Sequence, residues 1–310
     1  MHIGIDIGGT NLKYGIISPE GEIMFKKSIK TRAGSGPKAM ISRLTKLIDE
    51  LKEKYGSVLS VGLGVPGVVD PKGNVVIAPN LKGWKDIPIL RKLKESIDLP
   101  ISIDNDANVA AYAELKIGAG KDSSHFFYIT LGTGVGGAIV ADKKLFRGAG
   151  GGAGEIGHTI IDYNIDFGTG MSFFRTGILE EYTGKDQIVR LAEKLLKKYP
   201  DSILHDYGKI DSRNISIAAE RQDKAALECL STVGELLGIG LTSVLNLLDI
   251  HLVVVGGGIS YSDPIMLRTA EKTIKRRALP TVSGHVEIKL AEFQNDAGII
   301  GAALLSKDNM

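Results

Sequence analysis

IDIGGTNLKYGII at residues 5–17 and ITLGTGVGGAIV at residues 129–140 share one plan: an apolar strand, a turn of Gly and Thr, and an apolar return. The two stretches lie about 124 residues apart, which predicts a core built twice, with one glycine hairpin in each of two lobes. A third glycine turn, VVVGGGIS at Val253 to Ser260, follows another apolar run. Glycine at a strand end lets the backbone approach a phosphate and aim N–H groups at it, and threonine adds a hydroxyl. None of the three turns has the GxxxxGK[ST] pattern, or the GxGxxG spacing followed by a helix and an acidic residue, so Walker and Rossmann phosphate sites are disfavoured.

Outward from the first hairpin, alternation and turn residues predict strands Ile3 to Ile7, Leu12 to Ser18 and Glu22 to Ile29, an antiparallel meander. Ile41, Leu44, Leu47, Ile48 and Leu51 recur at helical spacing and predict a helix from about Pro37 to Tyr55. A buried strand from Ser57 to Val65 ends in the Gly64–Gly67 turn. A shorter one, Ile101 to Ile103, leads into IDNDANVAAYAEL, which reads as helix from Asn108. Asp104, Asn105 and Asp106 therefore fall where a strand gives way to a helix, a junction that presents side chains to a crevice. GAGKDSS at 118–124 breaks that helix, which divides a small lobe, residues 1–118, from a large lobe, residues 119–296. The final helix, from about Ala297 and within residues 297–310, is expected to pack back on the first lobe.

A chain of 310 residues with 43% hydrophobic residues exceeds what one core usually supports and leaves no room for a disordered reading. Lys and Arg number 38 against 36 Asp and Glu, a formal charge of +2, so no field predicts nucleic-acid or membrane partners. The single cysteine, Cys229 in AALECLSTVGELLGIGL, reads as a buried small hydrophobe and excludes an intramolecular disulfide framework. No leader pattern opens the sequence and no apolar stretch reaches the ~18–20 residues that span a bilayer, so a cytoplasmic chain is expected.

Asp6 interrupts a strand of isoleucines one residue before the first turn, where a carboxylate can hold Mg²⁺ beside phosphates or cap the turn. Asp106 is a candidate base and also a candidate helix cap. Asp104 is its rival, and spacing does not choose between them. Glu155 and His158, three apart after a run of glycines, suit a grip on adjacent hydroxyls; a structural role for His158 is the alternative.

IDIGGT, GVPGVVD at 64–70, PNLKGW at 79–84, NDANVAAYAE at 105–114, TLGTGVGGA, GEIGH at 154–158 and VVVGGGI occur in that order. In this combination the chain resembles the ROK family of sugar kinases and repressors, in the actin-like ATPase superfamily. The resemblance implies an α/β, two-lobed, ribonuclease-H-like fold with a central cleft. It implies ATP and Mg²⁺ as cofactors, transfer of phosphate to the 6-hydroxyl of a sugar, and a homodimer. Asp106 would be the base, which selects it over Asp104. Asp6, Gly8, Gly9, Thr10 and Lys13 would hold the transferring phosphate and its metal, with Gly132, Thr133 and Gly134 facing the phosphates and Gly256, Gly257 and Gly258 near the adenosine. Gly64, Asn80, Asn105, Glu155, His158 and Glu180 would line the sugar site, Glu180 from GILEEYTG.

Most members of the resembled family carry three cysteines after the GEIGH motif that bind a structural zinc with the histidine. Here Met171, Phe173 and Ile178 stand in those places, so no structural zinc is expected and apolar packing with Phe174 is expected to fix the loop. Glucose is the expected acceptor. An N-acylhexosamine is the alternative, and a sugar-responsive repressor is disfavoured because no basic recognition helix precedes the first turn.

Overall fold

The computed structural model describes residues 1–163, 175–260 and 264–310. By their contacts they form two compact units: Met1–Ser124 with Ala138–Gly154 and Glu292–Met310, and His125–Gly137 with Glu155–Ala291. The sequence reading assigned residues 138–154 to the second lobe, whereas by contacts they group with the first.

In the first unit, β1 (His2–Ile7), β2 (Asn11–Ile17) and β3 (Ile23–Lys30) form the expected meander. Helix α1 (Gly36–Tyr55) opens with Pro37 in its first turn and buries Met40, Leu44, Leu47, Ile48 and Leu51. Strand β4 (Ser60–Val65) is buried throughout and runs parallel to β1. Strands β5 (Val68–Val69), β6 (Val75–Ile77) and β7 (Lys85–Ile87) make a small antiparallel sheet, followed by α2 (Ile89–Lys94). Strand β8 (Ile101–Asn105) completes a five-stranded sheet of order β3-β2-β1-β4-β8, and α3 (Asp106–Ile117) follows it directly. The strand therefore runs two residues further, and the helix starts two residues earlier, than the sequence suggests. The Asn105 side chain caps the helix by accepting from Ala107 N–H and Asn108 N–H, so no loop is needed.

Strand β9 (Phe126–Leu131), in the second unit, is followed by β10 (Val135–Ala141), which crosses into the first unit and pairs there with β11 (Lys144–Phe146). The second unit continues through α4 (Glu180–Thr183), α5 (Lys185–Leu195), α6 (Ser212–Glu220) and α7 (Lys224–Leu248). Strand β12 (Leu252–Gly256), α8 (Ile265–Arg277), α9 (Pro280–Ser283) and β13 (Glu287–Leu290) close it. The second sheet has the order β11-β10-β9-β12-β13, the same plan as the first, so the repeat seen in the two glycine hairpins extends to a whole sheet. Helix α7, at 25 residues, is long and apolar enough to cross a bilayer by composition, contrary to the sequence reading. Its apolar face is taken up by α4, α5, α6 and α8. Cys229 lies buried on it, its thiol donating to Ile188 O at 3.5 Å, and burial pushes the thiol pKa up to about 12.

The last helix, α10 (Ala297–Asp308), belongs to the first unit and is buried from Ala297 to Ser306. It lies against β1, β4 and α3 at backbone distance because glycines face it. A Cβ at Gly4 would stand 1.9 Å from Ile299 O, and one at Gly62 1.7 Å from Ala302 O. On the helix itself, a Cβ at Gly301 would stand 1.6 Å from Val109 O of α3. No side chain at Gly62 can be accommodated without moving α10 off the sheet. Gly62→Ala is therefore expected to cost about 3 kcal/mol or more in urea denaturation, the upper range for overpacking; an unchanged midpoint would contradict this packing.

Candidate functional site

The site residues expected from sequence fall into two groups, one in each unit. In the first, Asp6 of β1, Gly64 of β4 and Asp104 of β8 are register partners in one row across three parallel strands. A Cβ at Gly64 would lie 3.8 Å from Asp6 Oδ1 and 3.6 Å from Asp106 Cα, and only 2.6 Å from Val109 Cγ2. The missing side chain at Gly64 thus lets Val109 of α3 pack close against β4, with the Asp6 carboxylate and the start of α3 beside it. Asp6 is pressed against α10, where a Cβ at Gly298 would be 2.6 Å from its carboxyl carbon. Burial raises the pKa of Asp6, and Lys13, its partner across the hairpin, opposes the rise. A desolvated carboxylate of this kind is stabilised by a cation brought beside it.

The turn after Asp6 is held from behind. Gly8 N–H donates to Asn11 O at 3.0 Å, Thr31 Oγ1 donates to Gly8 O at 2.6 Å, and Thr31 N–H donates to Thr10 O at 3.0 Å. Gly9 and Thr10 stay exposed, and Asn80, also exposed, adjoins them, with its Cβ 3.6 Å from where one would stand at Gly9. Lys13 Nζ donates to Asn295 O at 2.8 Å, which fixes it at the foot of α10.

The two rival aspartates have different surroundings. Asp104 is buried; its Oδ1 accepts from Asn105 N–H at 2.8 Å and Asn108 Nδ2 at 2.7 Å, and its Oδ2 accepts from Arg147 Nε at 2.7 Å. Those bonds commit it to holding the strand-to-helix junction. Asp106, the first residue of α3, is half-buried, and its Oδ1 accepts the Ala107 N–H at 2.9 Å. Asn105 is occupied as a cap, and its Nδ2 donates to Gly67 O at 2.8 Å, which ties α3 to the GVPG turn. Arg147 went unnoticed in the sequence, since nothing in LFRGAGGG marks it as the partner of an aspartate 43 residues earlier.

In the second unit, Gly132 N–H donates to Gly134 O at 3.0 Å across the GTG turn, and Lys185 N–H donates to Gly132 O at 3.1 Å. Glu180 lies directly against this turn: its Oε2 accepts from Val135 N–H at 2.8 Å, and a Cβ at Gly134 would be 2.4 Å from that oxygen. Glu155 and His158 bracket a short 3₁₀ turn, three apart and so on one side of it, with Glu155 half-buried and His158 exposed. The same turn meets Val135 through Gly157, where a Cβ would stand 2.2 Å from Val135 O. Of the third glycine turn, Gly256 and Gly257 are packed against Tyr128 and Leu131, while Gly258 faces open space. Among the residues expected to replace zinc, Ile178 is buried and bridges Ile160, whereas Met171, Phe173 and Phe174 lie outside the described residues.

Two sheets of one repeated order, each with a glycine hairpin at its centre, define the actin-like ATPase fold. The profile of the ROK family matches residues 2–309, and the chain belongs to that family. It is 34% identical to a glucokinase of Halalkalibacterium halodurans over 99% of this chain and 94% of that one. It is also 28% identical to the xylose repressor of Caldicellulosiruptor bescii, over 99% of this chain and 78% of the repressor. Among solved structures, a ROK family glucokinase from Streptomyces griseus in complex with glucose and AMPPNP superposes with a TM-score of 0.85 at 30% identity, over 99% of both chains.

Burial raises the pKa of Glu155, nearby Glu180 adds to the rise, and His158 opposes it. A carboxyl with a raised folded-state pKa contributes stability below its unfolded pKa and loses it as pH rises through the folded value. Glu155→Gln lacks that loss. Its stability relative to the parent chain is expected to increase from about pH 4 to about pH 7, measured as urea midpoints; a pH-independent difference would contradict this.

Proposed function

We propose that the chain is an ATP-dependent hexose kinase that phosphorylates the 6-hydroxyl of its sugar, with glucose as the acceptor. The observation that carries this reading is that the desolvated Asp6 carboxylate and the start of α3, with Asp106 at its head, both border the Gly64 position, beside a glycine turn whose exposed face is Gly9 and Thr10. Similarity to glucokinases over nearly the whole chain supports it.

Asp106 accepts the proton of the 6-hydroxyl as its oxygen bonds to the γ-phosphorus of ATP, while the bond from that phosphorus to the β,γ-bridging oxygen breaks and ADP leaves. Asp104, committed to Arg147 and Asn108, holds the junction that aims Asp106. Gly8, Gly9 and Thr10 present the first hairpin turn to the phosphates, and Lys13 adds positive charge next to Asp6. Gly132, Thr133 and Gly134 serve the phosphates in the same way, and Gly258 leaves room for the nucleoside. Asn80, Glu155 and His158 bind sugar hydroxyls, and Glu180 does so with the lone pairs its present partners leave. The desolvated Asp6 carboxylate fits Mg²⁺, which when bound would neutralise charge on the phosphates.

A coupled ADP-release assay with glucose, mannose, fructose, N-acetylglucosamine and N-acetylmannosamine tests the substrate. Turnover of glucose above the others is expected, preference for an N-acyl sugar would reassign the acceptor, and sugar binding without turnover would make the chain a sensor. Asp106→Asn is expected to lower kcat by about 10²- to 10⁴-fold with little change in sugar affinity. Near-normal turnover of that variant would remove Asp106 from its role.

A further inference from the structure

Arg175 attracts no notice in the sequence, yet its guanidinium joins two carboxylates. Nη2 donates to Glu180 Oε1 at 2.6 Å and Nε donates to Glu181 Oε1 at 2.7 Å. Glu181 is held in addition by Gln187 Nε2 at 3.1 Å, and Gln187 by Arg190 at 3.2 Å, so the pair is anchored to α5. Glu180 spends its second oxygen on Val135 N–H. The Val135 backbone is where the two turns meet: its nitrogen follows the GTG turn directly, and its carbonyl oxygen lies under Gly157, between Glu155 and His158.

We propose that Arg175 is a positioning residue that fixes the GTG turn and the Glu155–His158 turn through Glu180 and the Val135 amide. The geometry requires a planar fork. Nη2 sits between Glu180 Oε1 and Glu181 Oε1, 2.6 and 2.5 Å away, while Nε holds Glu181 Oε1 as well, and a lysine ammonium has no second nitrogen to grip Glu181 from the side. Without the fork, Glu180 is a carboxylate beside Glu181 and Glu155 with no cation against it, and like-charge repulsion drives it off the Val135 N–H. Arg175 is itself half-exposed, so the pair supplies geometry more than global stability.

The role in catalysis rests on the kinase reading, but the structural role does not, and the experiment separates them. Hydrogen exchange at the Val135 amide is measured on unliganded parent chain, Arg175→Ala and Arg175→Lys, with kcat and KM for ATP and glucose measured in parallel. Faster Val135 exchange is expected in both variants while amides of β12 and α7 keep their protection, and kcat/KM is expected to fall on the order of 10²-fold, as for a misplaced reacting group. Millimolar guanidinium ion is expected to restore part of the activity and of the Val135 protection in Arg175→Ala but not in Arg175→Lys, where the side chain fills the space. Unchanged Val135 exchange in Arg175→Ala would overturn the proposal, as would faster exchange spread evenly over the second unit. If the parent chain turns over no hexose, the kinase reading fails, and Val135 exchange alone still decides the role of Arg175.

Discussion

The backbone contact between the last helix and the first sheet is the constraint from which the arrangement of the candidate residues in the first unit follows. Carbonyl oxygens of Ile299 and Ala302 occupy the places where side chains at Gly4 and Gly62 would stand, and Val109 O occupies that of Gly301. Three separate segments, β1, β4 and α3, are thus referenced to one helix. Asp6 sits on the first of them and Asp106 opens the third, so their separation is set by rigid backbone surfaces and not by loops. Close packing of this kind tolerates almost no adjustment, and its elements therefore shift together or not at all.

Burial sorts the acidic residues of the first unit into different tasks. Asp104 has a hydrogen-bond donor for each oxygen and an arginine against it, which is the condition under which a buried charge is tolerated. Glu114, fully buried at the far end of α3, accepts from three backbone N–H groups, of Ala119, Glu292 and Phe293. It binds together the stretch where the chain approaches its departure from the first unit and the stretch where it returns. Desolvation still raises its pKa, so these bonds offset only part of the cost of burying it. Asp6 differs from both, because its surroundings desolvate the carboxylate and only Lys13, its cross-strand partner, opposes the resulting rise in pKa. A group left in that state is available for a ligand's charge.

Much of this was legible in the sequence, and what was missed has a common cause. The meander, α1, β9 and the repeat declared themselves because period, turn residues and duplication are local signals. The junction at 104–106 was misread by two residues at each side because Asn105 caps α3 directly from the end of β8, leaving no turn residue to mark a boundary. The difference in surroundings between Asp104 and Asp106 depends on Arg147, and the state of Glu180 on Arg175 and Val135. These are contacts between segments, and no spacing rule encodes them. Likewise Asn105, expected to bind sugar, turned out to have its amide engaged in a cap and in a bond to Gly67, a use that composition alone does not distinguish. The apolar run of α7 read as ordinary core, although its length and composition also suit a bilayer; the helices packed around it account for that composition.

The position of α10 has a further meaning for the order of events during synthesis. A ribosome releases β1, β4 and α3 long before residues 297–308 exist, and until then the glycine faces of Gly4 and Gly62 have nothing to receive. About 180 further residues are added between α3 and α10 before this face of the sheet can be covered. Contacts of such long sequence separation form slowly and leave apolar surface uncovered meanwhile.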